Sequence, residues 1–258
     1  VQNFKQALQV IKPYDTLVIK KGTYTCINET IYKPITIIGE SLPILDGKQM
    51  DEILVVMSND VHLFGLAIAN SKCGSMKDYA GLRVFKARNV IIENCQLTNT
   101  FFGIYLSDSK CITVKNCSGK GAHYGKSDTG NGIHLWKCDS ISITGNHLEG
   151  HRDGIYLEFA KHCTIESNLC ERNFRYGLHF MFSDNDTYSN NTFTGNGTGV
   201  AVMYSKGVHM FNNKFLNNWG DAAYGLLLKD MSNGIIKNNI FQNNTIGVTM
   251  EGGTNMRF

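Results

Sequence analysis

The stretches GIYLEF at 154–159 and GLHFMF at 177–182 decide the fold of this 258-residue chain. In each, a glycine is followed by residues that alternate between apolar and outward positions: Ile155, Tyr156, Leu157, Glu158 in one, and Leu178, His179, Phe180, Met181 in the other. A period of two is the repeat of a strand and not of a helix. The same opening recurs as GLRV at 81–84, GIYL at 103–106, GIHL at 132–135, GVAV at 199–202, GLLL at 225–228 and GVTM at 247–250. Successive glycines lie 22, 29, 22, 23, 22, 26 and 22 residues apart. A second anchor follows 13 or 14 residues after the glycines, at Asn94, Asn116, Asn146, Asn168, Asn191, Asn213 and Asn239.

A fixed period in this range marks a repeat architecture. About 22 residues hold three short strands with turns and leave no room for a helix, so each coil adds one strand to each of several parallel sheets. The fold class is therefore all-β: a right-handed, single-stranded parallel β-helix, the hand following the usual sense of parallel crossovers. Stacked at one corner, the asparagines are expected to hydrogen-bond from coil to coil. Upstream, PITIIG at 34–39 and VHLFGLAI at 61–68 begin the pattern, and FKQALQVIK at 4–12 places Phe4, Ala7, Leu8 and Ile11 at helical spacing. Residues 1–22 read as a capping helix with a first strand, and residues 23–258 as the solenoid. The chain stops at Phe258 just after a fresh GVTM strand, which predicts a solenoid that natively continues further.

Composition narrows the function. The formal charge is +3 and dispersed, which argues against a nucleic-acid partner, and no apolar run reaches the length of a membrane helix. Three prolines against 26 glycines suit turns made by residues that tolerate the left-handed region. None of the eight cysteines forms a CxxC, so a zinc ribbon or dithiol redox motif is not supported. Cys95 and Cys117 occupy one repeat position on adjacent coils, leaving two readings open: buried thiols acting as small hydrophobes, or a disulfide.

Stacking turns repeat positions into columns with neighbours about 4.8 Å apart. The first and third residues after each glycine are apolar throughout, from Leu82 and Val84 to Val248 and Met250, and form the core. The second and fourth point outward and carry His134, Trp136, Tyr156, Glu158, His179, Met181 and Met203, an outward strip rich in imidazole and thioether. These donors suit Cu(I), which makes His134, His179, Met181 and Met203 the candidate metal ligands. The preceding corner adds His151, Arg152, Asp153, Arg175 and Tyr176, with Arg152 and Arg175 expected to stack beside acidic neighbours. Three insertions, SKCGSMKDYA (71–80), GKGAHYGKSDTGN (119–131) and the segment around Trp219, fall between an asparagine anchor and the next glycine, so they are expected at one edge. Trp136, Tyr156, Glu158 and Trp219 join this corner as a candidate partner-docking surface.

The segments GNGIHLW (130–136), GHRDGIYLEF (150–159), RYGLHFMFSDND (175–186) and GVAVMYS (199–205), in this order and spacing, resemble the NosD family. The likeness extends to YDTLVIKKGTY, PITIIGE and VHLFGLAIANS near the start, although Tyr14 precedes Asp15 where the family usually has glycine. The resemblance implies a pectin-lyase-like solenoid in the periplasm, and a non-catalytic, copper-related accessory role. It further implies partners: an ABC transporter membrane subunit, a copper chaperone and nitrous oxide reductase. No family motif fixes copper ligands, so the His/Met strip rests on spacing alone. Two other functions stay open: a polysaccharide lyase, hydrolase or epimerase, which would need clustered carboxylates or a base with a neutralising cation, and a metal-free docking scaffold.

Overall fold

A computed structural model of the chain describes residues 3–74, 77–121, 129–220 and 223–258. Among the described residues, three ten-stranded parallel sheets run the length of the molecule, and each strand bonds to the strand three later in sequence. Asp153–Glu158, for example, lies between Ile133–Trp136 and Tyr176–Met181, with Tyr156 opposite His134 on one side and His179 on the other. This is a right-handed parallel β-helix of about ten turns. All the glycine-led strands fall in the third sheet. The helix Phe4–Val10 covers the first coil, N-capped by Asn3, whose Oδ1 accepts from the Gln6 backbone N–H, with Phe4 and Ala7 facing inward.

The glycine column exists because the backbones crowd there. A Cβ on Gly154 would lie 2.6 Å from the Gly177 carbonyl oxygen, and one on Gly177 would lie 2.7 Å from that of Gly199. The apolar residues one and three places later are almost wholly buried from Leu82 to Leu228. The expected core columns fail at their last members: Val248 and Met250 are 39% and 47% exposed, because no described coil covers them.

The asparagine ladder is shorter than the sequence suggests, and shifted at its start. Asn146, Asn168, Asn191, Asn213 and Asn239 form it: each of the first four donates its amide to the Oδ1 of the next. Asn94 and Asn116 do not belong. They hold left-handed turn positions, with φ of 54° and 51°, and the ladder site behind them is taken by Cys95 and Cys117. The one-residue difference in anchor spacing, 13 against 14, was the sign of this. A second ladder, Asn173, Asn196, Asn218 and Asn244, runs up another corner. Cys95 and Cys117 are free buried thiols that donate to the Glu93 and Lys115 carbonyls.

The first and third insertions leave the solenoid where expected, between the second and third sheets. Of the second, residues 122–128 lie outside the described residues, and its flanks enter at the same corner.

Near a third corner, the buried Asp186 accepts from the Cys163 N–H through Oδ1 at 2.7 Å, while Oδ2 has no partner. Burial pushes its carboxyl up to about 7. An unfolded aspartate releases its proton near 4, so between about pH 4 and 7 only the folded chain retains it. Stability therefore falls as pH rises through that window and levels off above it. Asp186→Asn should flatten this slope in urea midpoints taken between pH 4.5 and 7.5; an unchanged slope contradicts the assignment. For the ladder, Asn168→Ala strands the Asn146 N–H and Ile143 carbonyl and should cost about 3 kcal/mol, whereas Asn116→Gly should cost under about 1. Equal losses in chemical denaturation would refute the register.

Candidate functional site

The outer face of the third sheet carries Arg83, Tyr105, His134, Tyr156, His179 and Ala201 in one column, each in register with the next. Alternation aims these side chains away from the core, but it does not expose them. His134 is 8% exposed, His179 3%, and Ala201 is buried. Rings on successive coils cover one another, with centroids 4.4 Å apart for Tyr105 and His134, 4.9 Å for His134 and Tyr156 and 4.8 Å for Tyr156 and His179, and Tyr176 of the same strand covers His179 at 4.6 Å. The expectation of solvent-side imidazoles is corrected by this packing.

The expected metal ligands do not all converge. Tyr156 separates His134 from His179, which puts the two imidazoles two coils, or about 9.6 Å, apart. The Asn131 amide, 3.0 Å from His134 Nδ1, donates to it, so the proton of this ring sits on Nε2. The other three do group. His179 and Met181 share one strand and one face, and the register partners of the two are Ala201 and Met203. Both methionines are partly exposed, and Ala201, opposite His179, is fully buried.

Below this group, Asp153 is fully buried, not part of an open docking surface. Arg175 grips it with two bonds, Nε to Oδ1 at 2.9 Å and Nη2 to Oδ2 at 2.7 Å, and lies over the Tyr176 ring. Burial alone would raise the Asp153 carboxyl, but bonds from His179 and Arg175 hold it below the usual carboxylate range. Arg175 therefore reaches the buried Asp153 while Arg152 stays exposed, so the expected pairing of two stacked guanidiniums gives way to a half-buried ion pair. His179 Nδ1 lies 3.1 Å from Arg175 Nη2 and 3.5 Å from Asp153 Oδ2, and Nε2 is buried without a partner. Burial lowers the His179 pKa, opposed by Asp153, which keeps the ring neutral near pH 7.

His151 is also corrected. It occupies the second ladder's position, its backbone N–H donating to Asn173 Oδ1, and its ring is fully buried. Gly119 makes the space: a Cβ there would lie 3.1 Å from His151 Nε2.

Two features escaped the column reading. Phe159, Phe182 and Tyr204, one position beyond the strip, form an exposed stack with centroids 5.4 and 5.1 Å apart and planes within 16°. Extending the columns by one residue would have found it. Together with the partly exposed Trp136, Met181 and Met203 it forms an apolar band, and Lys137 lies 4.2 Å from the Trp136 ring centroid. Glu158 and Tyr156 border it, and Trp219 stands 66% exposed on the third insertion. On the second sheet, His147, Glu149 and Glu171 bring ligand atoms within 4.8 Å of one another. Arg172 already takes both oxygens of Glu171 and approaches Glu149, so this cluster is satisfied as an ion-pair network.

A family model described as "Periplasmic copper-binding protein (NosD)" matches residues 115–258. No curated protein sequence matches the chain. Among solved structures, tailspike protein 2 of an Escherichia coli O157:H7 bacteriophage is similar with a TM-score of 0.68 and 12% identity, over 88% of this chain and 34% of that one. A PL6 alginate lyase with bound trisaccharide gives 0.68 and 16%, over 92% and 56%. A family 28 exopolygalacturonase of Yersinia enterocolitica gives 0.69 and 8%, over 98% and 74%. The chain thus spans a third to just over half of the tailspike and the lyase, and at these identities the likeness shows the fold alone.

Burial pushes His134 down to about 3 and His151 down to about 4. Unfolded imidazoles take a proton near 6.5, so both sites withdraw stability as pH falls from about 6.5 toward 4. NMR titration should find both rings uncharged at pH 5; a midpoint above 6 in either would contradict the packing described.

Proposed function

The chain belongs to the NosD family of periplasmic copper-binding proteins, and on that premise we propose that it is a non-catalytic accessory protein that carries Cu(I) as cargo on the outer face of its third sheet and docks partner proteins beside it. The observation that carries this reading is the grouping of His179, Met181 and Met203, the first two on one face of a strand and the third opposite Met181 across one coil. A neutral imidazole with two thioethers is a donor set suited to a soft monovalent cation. Residues two apart on a strand are about 6.5–7 Å apart and coils about 4.8 Å, distances that flexible methionines span. His134 has no part in this set.

The apolar band of Trp136, Phe159, Phe182 and Tyr204 supports docking next to the cargo, since contiguous exposed apolar surface of this kind marks interaction sites. By family resemblance the partners are a copper chaperone, the membrane subunit of an ABC transporter and nitrous oxide reductase, in the periplasm. No helix among the described residues is long and apolar enough to cross a membrane.

Polysaccharide cleavage is the weaker reading. Glycosidic chemistry of this kind needs accessible paired carboxylates or a base beside a neutralising cation, and Asp153 is buried against Arg175, with Tyr176 and Met181 opposite Asp153 and Glu158 on the next coil.

Cu(I) competition against a chromogenic chelator tests the proposal. Met181→Ala/Met203→Ala/His179→Ala should weaken binding at least about tenfold, the scale of a lost first ligand or its support. Unchanged affinity removes the strip as the copper site and leaves docking to be tested alone, by binding of a Phe159→Ala/Phe182→Ala variant to the partner proteins.

A further inference from the structure

We propose that the exposed ladder of Phe159, Phe182 and Tyr204 docks a methionine-bearing segment of a partner protein, its ring edges taking the thioether sulfurs. This rests on the docking half of the reading above and adds the chemistry of what docks.

The ladder stands where the backbone least favours it. Its three residues occupy the turn that closes successive third-sheet strands, each backbone N–H bonded to the next coil, with φ of 52°, 50° and 52°. A bulky side chain in the left-handed region carries a steric cost, and such conformations cluster at functional sites. Other coils fill the same turn with Asp108, Asp230 and Gly252, which suit that backbone, or with the unbranched Lys86 and Lys137. The core does not call for the rings either, since they stand 48%, 46% and 41% exposed.

The orientation of the rings decides what they bind. Neighbouring planes lie within 9° and 16° of each other, with centroids 5.4 and 5.1 Å apart. The faces are occupied by one another, so the edges meet water. A ring edge is the positive part of the aromatic quadrupole. It attracts electron-rich sulfur, and thioethers settle at ring edges; a cation would need the faces, which the stack closes. Met181 and Met203 directly precede Phe182 and Tyr204, are partly exposed and lie in register, so an incoming methionine meets thioethers as well as rings. Methionine is unbranched and adaptable, which fits a ridge whose spacing the coils fix.

A second copy of this chain is the alternative occupant. A stable interface buries about 800 Å² on each partner, more than three half-buried rings with the adjoining Trp136, Met181 and Met203 present. The surface suits a transient partner.

The probe is a short synthetic peptide with methionine at alternate positions, which sets the sulfurs on one side of an extended chain. Titrated into the full chain with copper chelated away, it should bind. Its counterpart with norleucine in place of every methionine keeps the side-chain length without sulfur and should bind about three- to tenfold more weakly. Phe159→Asn/Phe182→Asn installs a residue that left-handed turns accept, as at Asn185 and Asn233, and should bind both peptides equally weakly. Equal binding of the two peptides by the unsubstituted chain, a result that needs no variant, overturns the proposal; so does full discrimination retained in the variant. A dimer in sedimentation that these substitutions convert to monomer overturns it in favour of a second copy. If the partner proteins bind the unsubstituted chain but not Phe159→Ala/Phe182→Ala, while the methionine peptide fails to bind, only the present inference fails. If that alanine variant binds the partner proteins normally, the docking reading fails first.

Discussion

Every coil of this chain is held to the next by backbone hydrogen bonds at about 4.8 Å, and that spacing disciplines the rest of the molecule. It forces glycine where backbones meet, as at Gly154 and Gly177. It allows an amide ladder to climb through Asn146, Asn168, Asn191 and Asn213, each side chain both donating and accepting in the interior. It also stacks whatever lies on the outside. Phenylalanine over phenylalanine gives the exposed ladder of Phe159, Phe182 and Tyr204, and alternating tyrosine and histidine gives a column in which each ring seals its neighbours from water.

That sealing makes the candidate site chemically distinct from a surface strip. An imidazole in water would titrate near 6.5 and find water at both nitrogens. His179 does neither: burial favours its neutral form, one nitrogen meets an ion pair, and the other meets no partner. His134 likewise has one nitrogen bonded, by Asn131, and Nε2 buried without a partner, while His151 fills the space at Gly119 with neither ring nitrogen bonded.

The fold was legible because its signal is redundant. Eight glycines and the alternation after them point to one architecture, and an error at a single position does not alter it. Columns followed from the same count, so Met181 and Met203 could be placed side by side before any coordinates. The ladder was misread at Asn94 and Asn116 because two adjacent positions at a turn both favour short polar residues, one for its left-handed backbone and one for its amide. A count by residue type cannot separate them, whereas hydrogen bonds can.

By itself, then, the sequence determined the β-helix, its helical cap, the edge from which insertions leave, and the set of residues on the outer face of the third sheet. Alternation fixes direction, in or out, and direction is a property of the backbone. Tertiary structure decided burial and partnership: that Asp153 takes Arg175 and not solvent, that His134 stands two coils from His179, and that the aromatic column is closed. Those outcomes depend on side-chain volume, rotamer and the neighbouring coil together, and no periodicity in a single chain encodes which of several nearby partners a charged or aromatic group will choose.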